Sequence, residues 1–138
     1  MYLVPTDDPF LVRNILIASG EKPSMQAVTM ALRTQLVLLA YDDGVLRGFV
    51  TFRAINEVTQ EIHLHLMEKG LGRKVVAAAK DFMFAHTPTQ KIVALIPEHR
   101  MDIKNLARKC KFKFDGCIPN ANMHEGTLES LHIYGVNK

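Results

Sequence analysis

Alternating and helical patterns of apolar residues follow one another along the chain, and the pattern is clearest over residues 61–85. In residues 61–67 the even-numbered positions are Ile, Leu and Leu, and the odd-numbered ones are Glu, His, His and Met. This period of two predicts a strand with one apolar and one polar face. Residues 73–85, rich in alanine and straight-chain side chains, predict a helix. Gly70 and Gly72 bracket the turn between them.

The other patterns give an order of strand, two helices, three strands, helix, strand, helix and two strands. The remaining predicted elements are a strand at 2–4, helices opening at Asp8-Pro9 and Ser24, strands at 36–41 and 45–55 joined by Asp43-Gly44, a strand at 91–96, a helix at 102–111, and strands at 111–118 and 128–134. Residues 119–126 are polar and predict a loop. We therefore expect one α+β domain over residues 1–138, with a mixed, mostly antiparallel sheet of about six to seven strands flanked by about four helices.

Composition places the chain among ordinary globular proteins, with 48% apolar and 22% charged residues in 138. No apolar run is long enough to span a bilayer, so we expect no membrane partner. The N-terminus lacks a basic and apolar leader, and the two cysteines, Cys110 and Cys117, do not form a disulfide framework. These features predict a cytoplasmic protein.

The net charge of +3 is too small to indicate nucleic-acid binding. Five basic residues do cluster between Lys104 and Lys113, but a solvated helix face is the commoner explanation of such a cluster and a phosphate-binding patch the rarer one. The absence of tryptophan also leaves no obvious base-stacking surface.

The turn between the strand and the helix at residues 67–74 is the best functional clue. A strand, a Gly-x-Gly loop and a helix N-terminus together leave backbone amides free to bind an anion, and the helix dipole favours negative charge there. Lys69, Arg73 and Lys74 would add positive charge at the rim. The alternative is a plain strand-to-helix turn in which the glycines only end the strand.

Residues 67–72 and the order of elements together resemble the GCN5-related N-acetyltransferase (acyl-CoA N-acyltransferase) superfamily. That family has an Arg/Gln-x-x-Gly-x-Gly/Ala loop whose amides hold the pyrophosphate of coenzyme A, and both glycines match here. The resemblance implies acetyl-CoA as cofactor and a cleft between the strand ending at Met67 and the strand beginning near Lys91. The implied cofactor-binding residues are Leu66, Met67, Lys69, Gly70, Leu71, Gly72, Arg73 and Lys74.

Amine acetylation requires a base that deprotonates the acceptor. The family often takes it from the strand before the glycine loop, where Glu61, His63 and His65 share one face. These three are the candidate catalytic residues, although histidines on a sheet face are often only structural. His63 and His65 lack evident third and fourth ligands, which argues against a metal there.

Two positions depart from the family pattern. Met67 replaces the usual polar residue of the loop, and Ala107 replaces the tyrosine that serves as general acid on the late helix. The asparagine that often opens this helix is also missing, since Arg100 stands near its place. Cys110 and Tyr134 are substitutes for the acid by position, and a packing role explains each of them better.

The sequence therefore supports two functions. One is an acetyl-CoA-dependent N-acetyltransferase with an amine acceptor. The other is a catalytically silent protein of the same fold that binds or assembles, as occurs among bacteriophage internal-virion and head-assembly proteins. Acceptor specificity in the family resides in Phe10–Gln35 and Pro119–Gly126, and homodimerisation through these edges is common in it.

Overall fold

The computed structural model describes all residues from 1 to 138. It contains the predicted elements in the predicted order: β1 (Tyr2–Pro5), α1 (Pro9–Ala18), α2 (Met25–Thr34), β2 (Leu36–Asp42), β3 (Val45–Ala54), β4 (Thr59–Leu66), α3 (Gly72–His86), β5 (Lys91–Pro97), α4 (Met101–Lys109), β6 (Lys113–His124) and β7 (Thr127–Asn137). No helix has the length and apolar character that crossing a membrane requires.

The strands form one seven-stranded sheet in the order β1-β2-β3-β4-β5-β7-β6. Every neighbouring pair is antiparallel except β4 and β5, which run parallel. The last strand of the chain, β7, lies between β5 and β6, so β6 is an edge strand. The predicted α+β class and the mixed, mostly antiparallel sheet are confirmed.

The helices cover the two faces of the sheet in pairs. Val12 and Ile15 of α1 and Val28 of α2 pack with Val37 and Phe49 on one face. On the other face α3 and α4 cover the larger part of the core, and the apolar side chains of β4 point to this side. The odd-numbered side chains of β4 consequently face α1 and α2.

Local signals explain most of the element boundaries. The Asp8 carboxylate accepts hydrogen bonds from the amides of Phe10 and Leu11, and the Ser24 hydroxyl accepts one from Ala27, so each caps its helix as predicted. Asp43 and Gly44 have φ angles of 52° and 74°, which are the two positive angles of a type I′ hairpin turn.

The predicted loop at residues 119–126 is wrong for most of its length. Strand β6 continues to His124 and pairs with β7, and only Glu125 and Gly126 form the turn. The ladder is interrupted between Ile118 and Asn122, where Asn120 has a φ of 52°. This bulge accommodates Pro119, which has no amide to donate, and pairing resumes beyond it. The polar composition reflects an exposed edge strand.

Candidate active site

The sheet opens between β4 and β5. Only residues 59–61 of β4 pair with residues 91–93 of β5, and the rest of both strands has no ladder between them. The gap contains an inter-strand cavity of about 270 Å³, walled by β4, β5 and the Leu106–Ala107 segment of α4. Its lining is apolar apart from His63 and Arg100. A narrow apolar slot of this kind suits an extended, mostly uncharged ligand segment.

Backbone groups on the β4 side of this gap are free for pairing. The Met67 amide donates to the Arg47 carbonyl of β3 at 2.9 Å. Because hydrogen-bonding direction alternates along an antiparallel strand, the backbone groups of Leu64 and Leu66 face away from β3 and toward the gap. Of the two residues expected to offer backbone groups there, Leu66 has the suitable orientation and the Met67 amide is already engaged.

Just beyond β4, every backbone amide from residue 68 to residue 74 lacks a hydrogen-bond acceptor within the chain. Helix α3 has no side-chain cap at Leu71, in contrast to α1 and α2. Gly70 has a φ of 95°, and a Cβ atom there would meet no atom within 4 Å. The loop thus presents a row of unsatisfied donors beside open space, at a helix N-terminus.

Charge around this loop is mixed but locally favourable to an anion. Lys69 and Arg73 are exposed and make no ion pair, while Lys74 lies 3.4 Å from Asp42. Glu68, the one acid of the loop, is paired with Arg47. Two side chains at the loop therefore retain positive charge that no carboxylate neutralises.

Gly72 has a different role from Gly70. A Cβ atom at Gly72 would lie 2.8 Å from Cδ2 of Leu106, so its absence allows α3 to approach α4. The absence of a side chain at Gly72 therefore serves the packing of the two helices.

A second, helix-side cavity of about 500 Å³ lies on the opposite face of the sheet, between α1, α2 and the central strands. Most of its wall is apolar, and four titratable residues also line it: Glu21, Lys22, His63 and His65. His63 is the one residue that lines both cavities. The two cavities therefore adjoin at His63 of β4, beside the opening in the sheet.

Glu61 is only 3% exposed and lines neither cavity. One of its carboxylate oxygens accepts from Nε of Arg53 at 3.0 Å and from the neighbouring guanidinium nitrogen, and the other lies 3.2 Å from Nε2 of His63. Arg53 stabilises the buried charge, and the carboxylate lies beside the His63 ring.

His65 is held between two groups. Its ring stacks on Phe49 at a centroid distance of 4.6 Å, and its Nδ1 lies 3.6 Å from a carboxylate oxygen of Glu21. Burial lowers the pKa of His65, although Glu21 acts in the opposite direction. The close approach of Gly48, where a Cβ atom would lie 2.2 Å from the His65 carbonyl oxygen, fixes this part of β4 against β3.

Helix α4 brings no hydroxyl to the inter-strand cavity. Ala107 is buried in its wall. Cys110 is buried one turn later, and burial raises the pKa of its thiol. The Tyr134 hydroxyl accepts from Arg108 at 3.0 Å in the core, away from both cavities. The Arg100 guanidinium, at the cavity rim, makes a two-point contact with Asp102.

Solved structures of acetyltransferases share this arrangement. A spermidine N-acetyltransferase SpeG chimera from Vibrio cholerae and hSSAT superposes with a TM-score of 0.84 at 16% identity, covering 99% of this chain and 96% of that one. The chain has the GCN5-related N-acetyltransferase fold.

Two further structures with this fold support the same conclusion. A GNAT-family acetyltransferase from Streptococcus pneumoniae gives a TM-score of 0.74 at 16% identity, with 99% of both chains covered. RimL, a ribosomal L7/L12 alpha-N-protein acetyltransferase solved with coenzyme A, gives 0.79 at 13% identity, covering 99% of this chain and 94% of that one. No protein-family model and no curated protein matches the sequence. At these identities the likeness establishes the fold.

Sequence reasoning missed four residues that build the site. Arg53 pairs across the sheet from Glu61, and Phe49 pairs across from His65. Both follow from the register of the β3–β4 hairpin, which the alternating patterns could have supplied. Glu21 lies in the α1–α2 connection, and Arg100 lies at the β5–α4 turn. Their proximity to the site depends on tertiary packing, which the sequence did not reveal.

Proposed function

We propose that this protein is an acetyl-CoA-dependent N-acetyltransferase. The observation that carries the proposal is the position of His63, which lines both the inter-strand cavity and the helix-side cavity. Transfer between two ligands requires that they meet, and the residue that the two cavities share carries a titratable side chain.

The residues present suit coenzyme A. The free amides at residues 68–74 would hold its pyrophosphate, with Lys69 and Arg73 adding charge at the rim. The backbone of Leu66 would pair with the pantetheine arm as an added strand does. The space beside Gly70 is empty, so the pyrophosphate could approach the backbone there. Bound there, acetyl-CoA supplies an activated thioester to the junction of the cavities.

Within this proposal His63 is the general base. Nε2 of His63 lies 3.2 Å from a carboxylate oxygen of Glu61, and the neutral ring has one unprotonated nitrogen that would take a proton from the acceptor amine. Glu61 is a positioning residue, because it is buried and reaches neither cavity. His65 contributes to the helix-side cavity, and its lowered pKa favours the neutral ring there.

The acceptor would occupy the helix-side cavity. Its largely apolar wall suits an amine with an apolar body, and Glu21 offers a carboxylate to a cationic group. The proton for the departing thiolate has no donor at Ala107. We propose that water supplies this proton. Arg100 is the only lysine or arginine that lines the inter-strand cavity, and its positive charge would stabilise the thiolate.

We also propose a cytoplasmic location. Cys110 and Cys117 are both free thiols, and free thiols are typical of proteins in a reducing compartment. The alternative of a silent binding or assembly protein, including a bacteriophage one, has the incomplete acid motif at Ala107 in its favour.

Calorimetric titration with acetyl-CoA and CoA, followed by a thiol-release assay over a panel of primary amines, separates these functions. We expect saturable binding of both nucleotides and amine-dependent thiol release. Absence of binding at millimolar ligand would refute the cofactor site, and binding without release for every amine would favour the silent alternative.

A further inference from the structure

A second group of titratable side chains lies away from both cavities, where three elements meet. His99 follows β5, His124 ends β6, and Glu129 lies near the start of β7. One potential metal-ligating atom from each lies within 4.8 Å of the other two. Nδ1 of His99 is 2.7 Å from a carboxylate oxygen of Glu129, and the two imidazole rings stack at 3.6 Å.

Neighbouring groups hold the carboxylate in place. The Asn122 amide donates to one oxygen of Glu129 at 3.0 Å, and the His99 backbone amide donates to the other at 2.9 Å. These two donors orient the carboxylate, as supporting contacts do for metal ligands.

Hydrogen bonds also hold the backbone around the group in place. Glu98 and Ser130 exchange two hydrogen bonds, of 3.0 Å from the Glu98 amide to the Ser130 carbonyl and 3.1 Å from the Ser130 amide to the Glu98 carboxylate. This connection fixes the turn that carries His99 against the strand that carries Glu129. Two of the three ligands are thus placed before any ion binds, which reduces the ordering cost of binding.

We propose that His99, His124 and Glu129 form a binding site for a divalent cation of the zinc class. Two imidazoles and one carboxylate are the donor set that Zn²⁺ accepts with a fourth position open, whereas Mg²⁺ and Ca²⁺ prefer oxygen ligands throughout.

Binding releases to solvent the proton that His99 and Glu129 share in their 2.7 Å hydrogen bond, and it requires one small rearrangement. Stacked rings direct their in-plane lone pairs side by side, so the His124 ring must rotate to aim a nitrogen at the shared position. Its side chain is 41% exposed, which leaves room for this rotation. The ion would then join the β6–β7 hairpin to the turn before α4, next to Arg100 at the rim of the inter-strand cavity.

The test uses tag-free, chelator-treated full chain titrated with Zn²⁺, Co²⁺ and Mg²⁺. We expect one Zn²⁺ per chain by calorimetry, visible Co²⁺ bands typical of four- or five-coordination, and no Mg²⁺ binding. Zn²⁺ at a hundredfold excess over Kd should raise Tm by about 5–10 °C.

Variants locate the site. His124→Ala and Glu129→Gln should each weaken Zn²⁺ binding by about 100-fold or more, and Asn122→Ala by about 10-fold. His86→Ala, an exposed histidine at the end of α3, is the matched control and should bind as the native chain does. His124 is exposed at a strand end, so its variant should fold. Equal Zn²⁺ affinity in His124→Ala and in the native chain, or no 1:1 binding at all, would overturn the proposal.

Discussion

Helices α3 and α4 both begin beside the gap between β4 and β5, and the two helix starts differ in what they provide. The start of α3 offers a row of free backbone amides, and the space beside Gly70 is empty. The wall formed by α4 offers Ala107, and the guanidinium of Arg100 is occupied by Asp102. Neither helix start has a side-chain cap.

The difference follows from the chemistry each helix would perform. An anion site made of backbone amides tolerates almost any side chain, provided that the loop keeps its glycine conformation at Gly70. A proton donor depends on one side chain, and a single substitution at the Ala107 position removes it. Ligand binding and catalysis are thus separable in this fold, and each prediction below acts on one of them.

The largest effect is expected from Gly70→Asp at the start of α3. The new carboxylate would project into the open space beside the free amides and repel a pyrophosphate, and the positive φ adds strain. We expect CoA affinity to fall by about 100-fold or more, which calorimetry would measure.

Gly126→Asp is the matched control, because Gly126 also has a positive φ and open space but lies in the β6–β7 turn. Gly70→Ala separates the cost of strain from that of charge and should bind CoA more tightly than Gly70→Asp. Unchanged CoA affinity in Gly70→Asp would show that the α3 loop is not the anion site.

Substitution of His63 should affect turnover and leave CoA binding intact. Loss of a general base typically costs about 100- to 1,000-fold in rate, so His63→Ala should lower kcat by that factor in the thiol-release assay. His86→Ala serves as the control. A kcat within twofold of native would remove His63 as the base.

The role of Glu61 is tested in combination with His63. Because Glu61 acts through the His63 ring, Glu61→Gln should lower kcat by about 10-fold alone and add nothing to His63→Ala. A further loss in the double variant would mean that Glu61 acts independently of the imidazole.

The sequence predicted the fold well because the relevant signals are local. The two faces of β4, the caps at Asp8 and Ser24, and the Asp43-Gly44 turn each depend on a few neighbouring residues. The same locality explains the error at residues 119–126. Proline and polar residues there indicate a loop, and the bulge that keeps Pro119 in β6 depends on pairing with β7.

The site was predictable only in part for the same reason. The glycine loop and the polar face of β4 are contiguous in sequence, so residues 61–74 could be singled out. The division of roles between Glu61 and His63 depends on Arg53 and on which side chain reaches a cavity. Contacts such as His65 with Glu21 join elements distant in the chain, and no periodicity indicates them.

A substitution that brings a hydroxyl to α4 would test whether this helix can supply the missing proton. Ala107 faces the inter-strand cavity, so a tyrosine there would bring a hydroxyl to the side of the leaving thiolate. We expect Ala107→Tyr to release thiol about 10-fold faster than Ala107→Phe, which fills the same space without a proton to donate. Matched Tm values would show that both rings are accommodated, and equal rates would mean that proton supply from α4 does not limit turnover.

The smallest effect concerns the pH dependence of stability at His65. Burial lowers its folded-state pKa below the ordinary value of 6.5, so the folded chain favours the neutral ring more than the unfolded chain does. The stability associated with the neutral ring is fully present above pH 6.5 and is lost as the pH falls through the lowered folded pKa. Urea unfolding of the native chain should therefore lose more free energy between pH 7 and pH 5 than unfolding of His65→Gln, which has no ring to protonate. Equal losses in the two proteins would show that His65 is not buried as a neutral group and that the helix-side cavity does not hold a neutral imidazole there.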